Sequence, residues 1–374
     1  MAGKKHNTFR GTLLLLISII IIVISLLPSE WSSSRCDVQQ PNLRNVDFNV
    51  TERILTYPCD GQYTNVFGPW VMHEPGWDRY LMFFSKNSPI DGYWADRIYV
   101  TWHYGDGKDP SGWEQPLLLL EPEGEGVGSG EDRLIGDPSV VYWNGKWHMY
   151  YEGTDQPDGN NNSIFHAVAD DWSGPWIKKG MVELSGNHQG SGLSWPTVYV
   201  ENNELYLFYT DGSLHLLCAK ATDSTGQNFT MLNGGNPIIS AWVNRAQVIK
   251  LPNGTYLLTY DIFGQKEIYQ SYSDTITHFP VGRKILEARP GEWDSNQTGL
   301  PCILPPWSGS NEWRIYYTGR DDDPSNGNGD IGVAVIEYIT VKEFDLQISP
   351  IFQAIILAIL PPLIIQKFRK DLKF

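Results

Sequence analysis

Apolar and polar residues alternate in short runs along most of the chain, and the runs come in pairs that are joined by polar turns. The clearest pair begins at Asp137, where DPSVVYW is followed by the turn NG and then by KWHMYYEG. A period of two predicts β-strands with one buried face, and an Asn-Gly turn between two such strands predicts a hairpin. Helical periodicity is absent from this region, so we predict an all-β fold.

The hairpin pattern occurs five times, at intervals of 50 to 69 residues. The five copies begin at Gly68, Asp137, Trp195, Arg245 and Leu300. Each copy is followed by two further apolar strands, which predicts a four-stranded sheet per repeat and a five-bladed β-propeller over residues 40–345. A β-sandwich is the alternative, but it explains five repeats of similar length less well. We expect residues 40–63 to add a strand to the last blade and close the ring.

An apolar run lies on each side of this region, at residues 12–28 and 350–366. Basic residues lie beyond both runs, in residues 1–11 and in the tail 367–374, and this distribution predicts two cytoplasmic ends. The prediction is therefore a propeller flanked by N- and C-terminal membrane helices, with the propeller on the extracytoplasmic side. A cleaved signal peptide is the alternative for the first run. A membrane-surface helix is the alternative for the second, which is interrupted by Pro361-Pro362.

The composition of the chain argues against two kinds of ligand, nucleic acid and zinc. The net charge is −15 and no basic stripe occurs in the central region, so nucleic acid is not an expected partner. The four cysteines show no C-x-x-C spacing, which argues against a zinc site and leaves three disulfide pairings open. If residues 40–63 close the ring, Cys36 or Cys59 would approach Cys302. Five glycosylation sequons fit an exported domain, at Asn49, Asn161, Asn228, Asn253 and Asn296.

The segment GDPSVVYWNGKWHMYYEG, followed by ADDWSGPW, resembles the five-bladed propeller glycosidases of glycoside hydrolase families 43 and 32. The resemblance extends from about Gly68 to Tyr338. It implies carboxylates at the start of three innermost strands, which act as general base, as tuning residue and as general acid. Asp137 occupies the tuning position. Gly68 and Trp195 stand at the base and acid positions, where the family pattern has carboxylates.

Replacement carboxylates are available in loops and at the ends of second strands. Glu152, Asp211 and Asp261 recur at similar places in their blades, so we predict them, together with Asp137, as catalytic candidates. The structural alternative is that they cap turns or bind neighbouring blades. Further acidic candidates are Glu74, Glu131, Asp132 and Asp155.

Arg245 and Trp195 are predicted to bind substrate. A guanidinium offers paired donors to a hydroxyl or carboxylate, and an indole offers a flat apolar face to a pyranose ring. The alternatives are an ion pair of Arg245 with Asp137 and a place for Trp195 in the blade core. The acidic loop 320–330 has oxygen ligands of the kind that calcium takes, but Pro324 breaks the EF-hand order. We therefore predict a solvated turn there, and no cofactor or metal.

Together these features predict a membrane-anchored protein that acts on extracellular carbohydrate. Two functions fit the sequence. The first is a glycoside hydrolase with a relocated acid and base, which the resemblance and Asp137 favour. The second is a non-catalytic carbohydrate-binding or surface-interaction propeller, which the missing carboxylates favour. A purely structural envelope protein is a third alternative.

Overall fold

The computed structural model describes residues 49–55, 65–74, 76–90, 93–156, 161–186, 192–306, 312–321 and 329–337. These residues form 21 β-strands and two short 3-10 turns, at Pro110–Gly112 and Asn233–Gly235. The described part of the chain contains no α-helix. The all-β prediction is confirmed for this part of the chain.

The strands form five sheets, one for each predicted repeat. Blade 1 consists of β2 (Asn65–His73), β3 (Arg79–Ile90), β4 (Tyr93–Tyr104) and β5 (Leu117–Leu120). Blade 2 consists of β6 (Leu134–Trp143), β7 (Lys146–Thr154), β8 (Ser163–Ala169) and β9 (Ile177–Met181). Blade 3 consists of β11 (Leu193–Glu201), β12 (Glu204–Asp211), β13 (Leu216–Ala221) and β14 (Asn228–Met231), with β10 (Glu183–Ser185) parallel to β14 at its edge. Blade 4 consists of β15 (Val243–Lys250), β16 (Tyr256–Ile262), β17 (Glu267–Ser273) and β18 (Arg283–Glu287).

Blade 5 combines both ends of the described chain. It consists of β19 (Gln297–Leu304), β20 (Glu312–Arg320), β21 (Asp330–Glu337) and, antiparallel to β21, β1 (Asn49–Leu55). The predicted closing strand is thus confirmed. The innermost strands β2, β6, β11, β15 and β19 contact one another in this order, and β19 also contacts β2. The five sheets therefore close into a propeller.

Aromatic side chains fill the space between the blades. The second strand of each blade carries one to three of them at 0–1% exposure: Tyr80, Phe83, Phe84, Tyr150, Tyr151, Phe208, Tyr209, Tyr260, Tyr316 and Tyr317. Large flat rings bury much apolar area per residue, and they suit the wedge between neighbouring sheets. This packing explains the repeated FF, YY and FY pairs in the sequence.

A β-bulge interrupts each innermost strand near its start. The bulged pairs are residues 68–69, 137–138, 195–196, 244–245 and 300–301. In four blades the first bulged residue has φ between 51° and 61° and is followed by proline. Since a bulge redirects side chains and bends its strand, these residues are turned toward the centre of the ring. Blade 4 has the bulge without the proline.

One polar side chain at the bulge end of each second strand binds the backbone of the next blade. We call these five residues the latch residues: Ser85, Glu152, Thr210, Asp261 and Thr318. Four of them accept a hydrogen bond from a bulge N–H: Ser85 from Asp137 (2.7 Å), Glu152 from Trp195 (3.1 Å), Asp261 from Leu300, and Thr318 from Gly68 (3.0 Å). Thr210 donates to the carbonyl oxygen of Asn244 at 2.8 Å. The latches fix the blades to one another around the axis.

The described chain enters and leaves the propeller at one face. Asn49 pairs with Val335, and β21 ends at Glu337. The bulge of blade 5 lies at the other end of the sheet, beside Tyr317, which pairs with Gly332. Both ends therefore leave from the face opposite the bulges.

Several sequence predictions fall outside the described residues. These are the segments 12–28 and 350–366, the two terminal tails, and the cysteines Cys36 and Cys59. Within the described part of the chain no helix is long and apolar enough to cross a membrane. Cys218 and Cys302 are buried free thiols. The sequon asparagines Asn161, Asn228, Asn253 and Asn296 are exposed, and Asn49 begins β1.

The latch between blades 5 and 1 gives a stability prediction. Thr318→Val keeps the side-chain shape but removes the hydroxyl that binds the N–H of Gly68, leaving a buried donor unpaired. We expect the free energy of unfolding to fall by about 1–3 kcal/mol, measured by urea denaturation. Thr275→Val, at an exposed position, is the matched control and should change it by less than about 0.5 kcal/mol. Equal effects of the two substitutions would contradict the role of the latch.

Candidate functional site

Arg245 fills the centre of the ring. Its side chain is 0% exposed, although it starts from blade 4. Nη2 donates to the carbonyl oxygen of Pro138 in blade 2 at 2.9 Å, and the guanidinium carbon lies 5.9 Å from the ring centroid of Trp70 in blade 1. One side chain thus joins three blades across the axis. A cation in this dry position requires a negative partner.

Asp137 provides that partner. Its Oδ1 lies 3.5 Å from Nη1 of Arg245, and its side chain is also buried. Within the described residues Oδ1 of Asp137 and Nη1 and Nε of Arg245 have no hydrogen-bond partner. The pair is therefore held by charge and packing. The sequence predicted Arg245 as a substrate clamp, whereas its contacts in the structure are those of the alternative, an ion pair between blades.

Gly68 lies directly against this ion pair. A Cβ atom at Gly68 would be 2.3 Å from Oδ1 of Asp137 and 3.1 Å from Nη1 of Arg245, and its φ of +61° also favours glycine. The carboxylate of Asp137 thus occupies the space beside the position where the family pattern has its base. A side chain at residue 68 is excluded by contact.

Glu152 brings a carboxyl group close to the backbone of Trp195. It is the latch residue of blade 2, and its Oε2 accepts the N–H of Trp195 at 3.1 Å. It also forms hydrogen bonds with the side chains of Ser194 and Asp137. Unlike Asp137, it is partly exposed. A carboxyl group therefore stands beside Trp195, although residue 195 itself is an indole.

Burial and the negative charge of Asp137 raise the pKa of Glu152 to about 8. Burial also raises the pKa of Asp137, to about 6, although the guanidinium of Arg245 opposes the rise. Two hydrogen-bonded carboxyl groups titrate as a pair and share a proton. The pair therefore keeps its proton to a higher pH than two separate carboxyl groups would, and the guanidinium of Arg245 favours a negative charge on Asp137.

Asp96 is the candidate that the sequence analysis missed. It lies on β4, is partly exposed, and accepts a hydrogen bond from Nδ2 of Asn87 at 2.5 Å. Burial raises its pKa to about 6, and its charge acts on both Asp137 and Glu152. The feature that could have indicated Asp96 is the length of the hairpin of β3 and β4. Each strand has 12 residues, and this length carries Asp96 beyond the bulge.

Asp261 is the latch residue of blade 4. Its carboxylate accepts hydrogen bonds from the backbone N–H groups of Arg245 (3.1 Å) and Leu300 and from Nδ2 of Asn244 (2.9 Å). Burial raises its pKa. Asp261 and Glu152 therefore share a structural place, as the sequence pattern indicated. The carboxylate of Asp261 is fully engaged by its own surroundings.

Asp211 lies one residue beyond the latch Thr210, and so does not share the place of Glu152 and Asp261. Its carboxylate accepts hydrogen bonds from the backbone N–H groups of Ser213 (2.9 Å) and His215 (3.0 Å), as a turn cap does.

The other acidic candidates also have structural contacts. Glu74 binds Arg79, Glu131 binds Tyr151 and Lys178, Asp132 binds Gly128 and Ser129, and Asp155 binds the N–H of Asp132.

The described residues contain no group of three or more His, Cys, Asp and Glu side chains placed to hold a metal ion. Residues 322–328, most of the acidic loop considered for calcium, lie outside the described part of the chain.

No family model and no curated protein sequence matches the chain. Solved structures do match. A family 117 glycoside hydrolase of the marine bacterium Zobellia galactanivorans has a TM-score of 0.61 at 14% identity, with 86% of this chain and 99% of that chain covered. The fold is that of the five-bladed propeller glycosidases.

Two further glycosidase structures have the same fold. The GH43_1 enzyme of Xanthomonas citri, complexed with xylotriose, has a TM-score of 0.54 at 17% identity and covers 77% of this chain and 90% of its own. The α-L-arabinofuranosidase PaAbf62A of Podospora anserina, complexed with cellotriose, has a TM-score of 0.54 at 13% identity, with 78% and 97% covered. At such identities the likeness establishes the fold, whereas activity depends on the residues of the site.

The raised pKa of Glu152 gives a prediction about stability and pH. The folded protein holds the Glu152 proton more tightly than the unfolded chain, whose glutamate has the ordinary value of 4.5. The wild type should therefore lose stability as the pH rises from about 5 to about 8. Glu152→Gln removes this titrating group and keeps Asp137 and Asp96, whose pKa values are about 6, so its stability should fall less steeply than that of the wild type. Relative to the wild type, its stability should rise over this window by up to a few kcal/mol.

Urea denaturation at pH 5, 6, 7 and 8 measures this difference. Glu204→Gln, at an exposed position, is the control and should leave the pH profile of the wild type unchanged. A constant difference between wild type and Glu152→Gln would show that Glu152 is ionised in the folded protein.

Proposed function

We propose that the chain is a membrane-anchored glycoside hydrolase that acts on carbohydrate outside the cytoplasm. The observation that carries the proposal is Glu152, a partly exposed carboxyl group with a raised pKa beside Trp195. A glycosidic bond breaks most readily when its leaving oxygen receives a proton, and a group that stays protonated at neutral pH can supply it. Two of the glycosidase structures with the same fold are complexes with xylotriose and with cellotriose, which supports a carbohydrate ligand for this chain.

In this proposal Glu152 donates its proton to the leaving oxygen, and Asp96 is the second carboxylate. Asp96 removes a proton from water as the water oxygen attacks the anomeric carbon, so that one bond is broken and one is formed. The charge of Asp137, balanced by Arg245, keeps the proton on Glu152. Trp195 offers an apolar face to the sugar. Asp137 and Arg245 are positioning residues because both side chains are buried.

The alternative is a propeller that binds carbohydrate without cleaving it. One observation favours this alternative: Glu152 is a latch residue, and the equivalent places hold Ser85, Thr210 and Thr318, which need no acidity to bind the next blade. Recognition would then depend on stacking against Trp195 rather than on the carboxyl groups.

Four substitutions separate the two functions. If the protein hydrolyses glycans, Glu152→Gln and Asp96→Asn should lower turnover by about 10²-fold or more, because each loses one proton-transfer group. Asp137→Asn should lower turnover more than it weakens binding. If the protein only binds, Trp195→Ala should weaken binding at least as much as Asp137→Asn does, and the other two should change little. Glycan-array binding and reducing-sugar release on folded variants are the measurements.

The control is Glu204→Gln, which removes an exposed carboxylate and should behave as wild type. Wild-type behaviour of Glu152→Gln, Asp96→Asn, Asp137→Asn and Trp195→Ala in both assays would place the site elsewhere.

Anchoring is a separate part of the proposal. The basic flanks of residues 12–28 and 350–366 support two membrane segments with cytoplasmic ends. The described chain enters and leaves the propeller at the face opposite the bulges.

Protease accessibility tests this topology. Protease added to intact cells should digest the propeller and spare epitope tags placed before residue 12 and after residue 366. After detergent permeabilisation both tags should also be digested. A propeller that is protected in intact cells would contradict the extracytoplasmic location.

A further inference from the structure

A groove of about 710 Å³ lies between blades 3 and 4, apart from the carboxyl cluster. It is lined by His215, by the segment 237–242, which precedes β15, and by the segment 278–281, which precedes β18. Its volume is within the range of small-molecule sites. Neither the sequence motifs nor the proposed chemistry assigns it a role.

An exposed indole dominates this groove. Trp242 is 65% exposed, and Val281, which also lines the groove, is 60% exposed. The backbone N–H of Phe263 donates to the Trp242 carbonyl oxygen at 2.9 Å and fixes the backbone of Trp242 in place. Large apolar side chains grouped in the open are commonly part of a binding surface.

Polar groups accompany the indole. His215 forms a β-bridge with Trp242, and its Nδ1 lies 3.4 Å from Oδ2 of Asp211. Because Asp211 orients the ring through Nδ1, Nε2 is the nitrogen that is presented to a ligand. Ser240, also exposed, adds a hydroxyl group to the lining. A flat apolar face beside an oriented imidazole and a hydroxyl suits a sugar, which has apolar faces and hydroxyl edges.

The Trp242 part of the groove lies at the bulge end of the propeller, whereas the segment 278–281 lies toward the opposite end, where Ser273 binds the carbonyl oxygen of His278. Trp242 immediately precedes β15, and the bulge residue Asn244 follows two positions later. Thr210 links this position to Trp195, because it pairs with Ser194 and its hydroxyl donates to the carbonyl oxygen of Asn244 at 2.8 Å. A ligand held beside Trp195 in blade 3 can therefore continue to Trp242 at the start of blade 4.

We propose that the Trp242 groove is a distal subsite that binds the outer sugars of an oligosaccharide whose reacting end lies beside Trp195 and Glu152. The inference rests on the proposed function and adds to it that the ligand is a chain of several sugars. The indole stacks on one sugar ring, and His215 and Ser240 bind its hydroxyl groups.

Chain length is the variable that tests the subsite. Binding of xylohexaose, xylobiose, cellohexaose and cellobiose to the full chain in detergent is measured by calorimetry. Trp242→Ala should weaken binding of the hexasaccharide about tenfold and leave the disaccharide unchanged, because only the longer chain reaches the groove. Trp242→Phe should retain part of the affinity. Trp77→Ala is the matched control, since Trp77 is 60% exposed at the opposite end of blade 1.

The outcomes separate the subsite from the proposed function. Equal effects of Trp242→Ala on both chain lengths, or no effect on the hexasaccharide, would overturn the subsite. Failure of all four sugars to bind the wild type would overturn the subsite for xylan and cellulose chains. Binding of a peptide, and of no sugar, at Trp242 would overturn the carbohydrate assignment. Failure of the proposed function would instead appear as unchanged hydrolysis in Glu152→Gln, which leaves the Trp242 result intact.

Discussion

The buried ion pair of Arg245 and Asp137 is the interaction on which the centre of this propeller depends. Five sheets that close into a ring leave a channel on the axis, and Arg245 fills that channel while contacting blades 1 and 2 from blade 4. A cation without water around it is tolerated only beside a negative charge, so the position of Asp137 is dictated by Arg245. The same pair acts on Glu152, because burial and the negative charge of Asp137 both raise the pKa of Glu152.

This constraint also explains how the chain departs from the family pattern. A base at residue 68 would collide with the ion pair, because a Cβ atom there would already be 2.3 Å from Asp137. Gly68 and the ion pair are therefore matched, because a side chain at residue 68 would displace the Asp137 carboxylate. The long hairpin of β3 and β4 carries Asp96 on the third strand of blade 1, which is why we propose Asp96 as the second carboxylate.

The repeats made the architecture predictable from sequence. Each blade has its own turn signals and its own aromatic pair, so five local patterns specify five sheets. The equivalence of Arg245 with Asp137 also follows from the pattern. The residues two positions further on support it, because Gln247 accepts the backbone N–H of Ile303 in blade 5 and Ser139 accepts that of Val198 in blade 3. A contact with the neighbouring blade was the structural alternative for Glu152 and Asp261. Asp96 and the hydroxyl latches Ser85, Thr210 and Thr318 were not predicted, because they depend on contacts between blades, which a repeat pattern within one blade does not encode.

Comparison of the five latch residues shows that the carboxyl group of Glu152 differs from the others in its surroundings. A bulge N–H needs only an acceptor, and Ser85 and Thr318 show that a hydroxyl suffices. Oδ2 of Asp261 accepts a hydrogen bond from Asn244, and Oδ1 accepts one from the N–H of Arg245, so both oxygens are engaged within the fold. Glu152 gives one oxygen to Trp195 and remains partly exposed, with a pKa raised by its surroundings. An acidic side chain with a raised pKa, in a place where serine or threonine would also bind the next blade, supports the proposal that Glu152 is a proton donor.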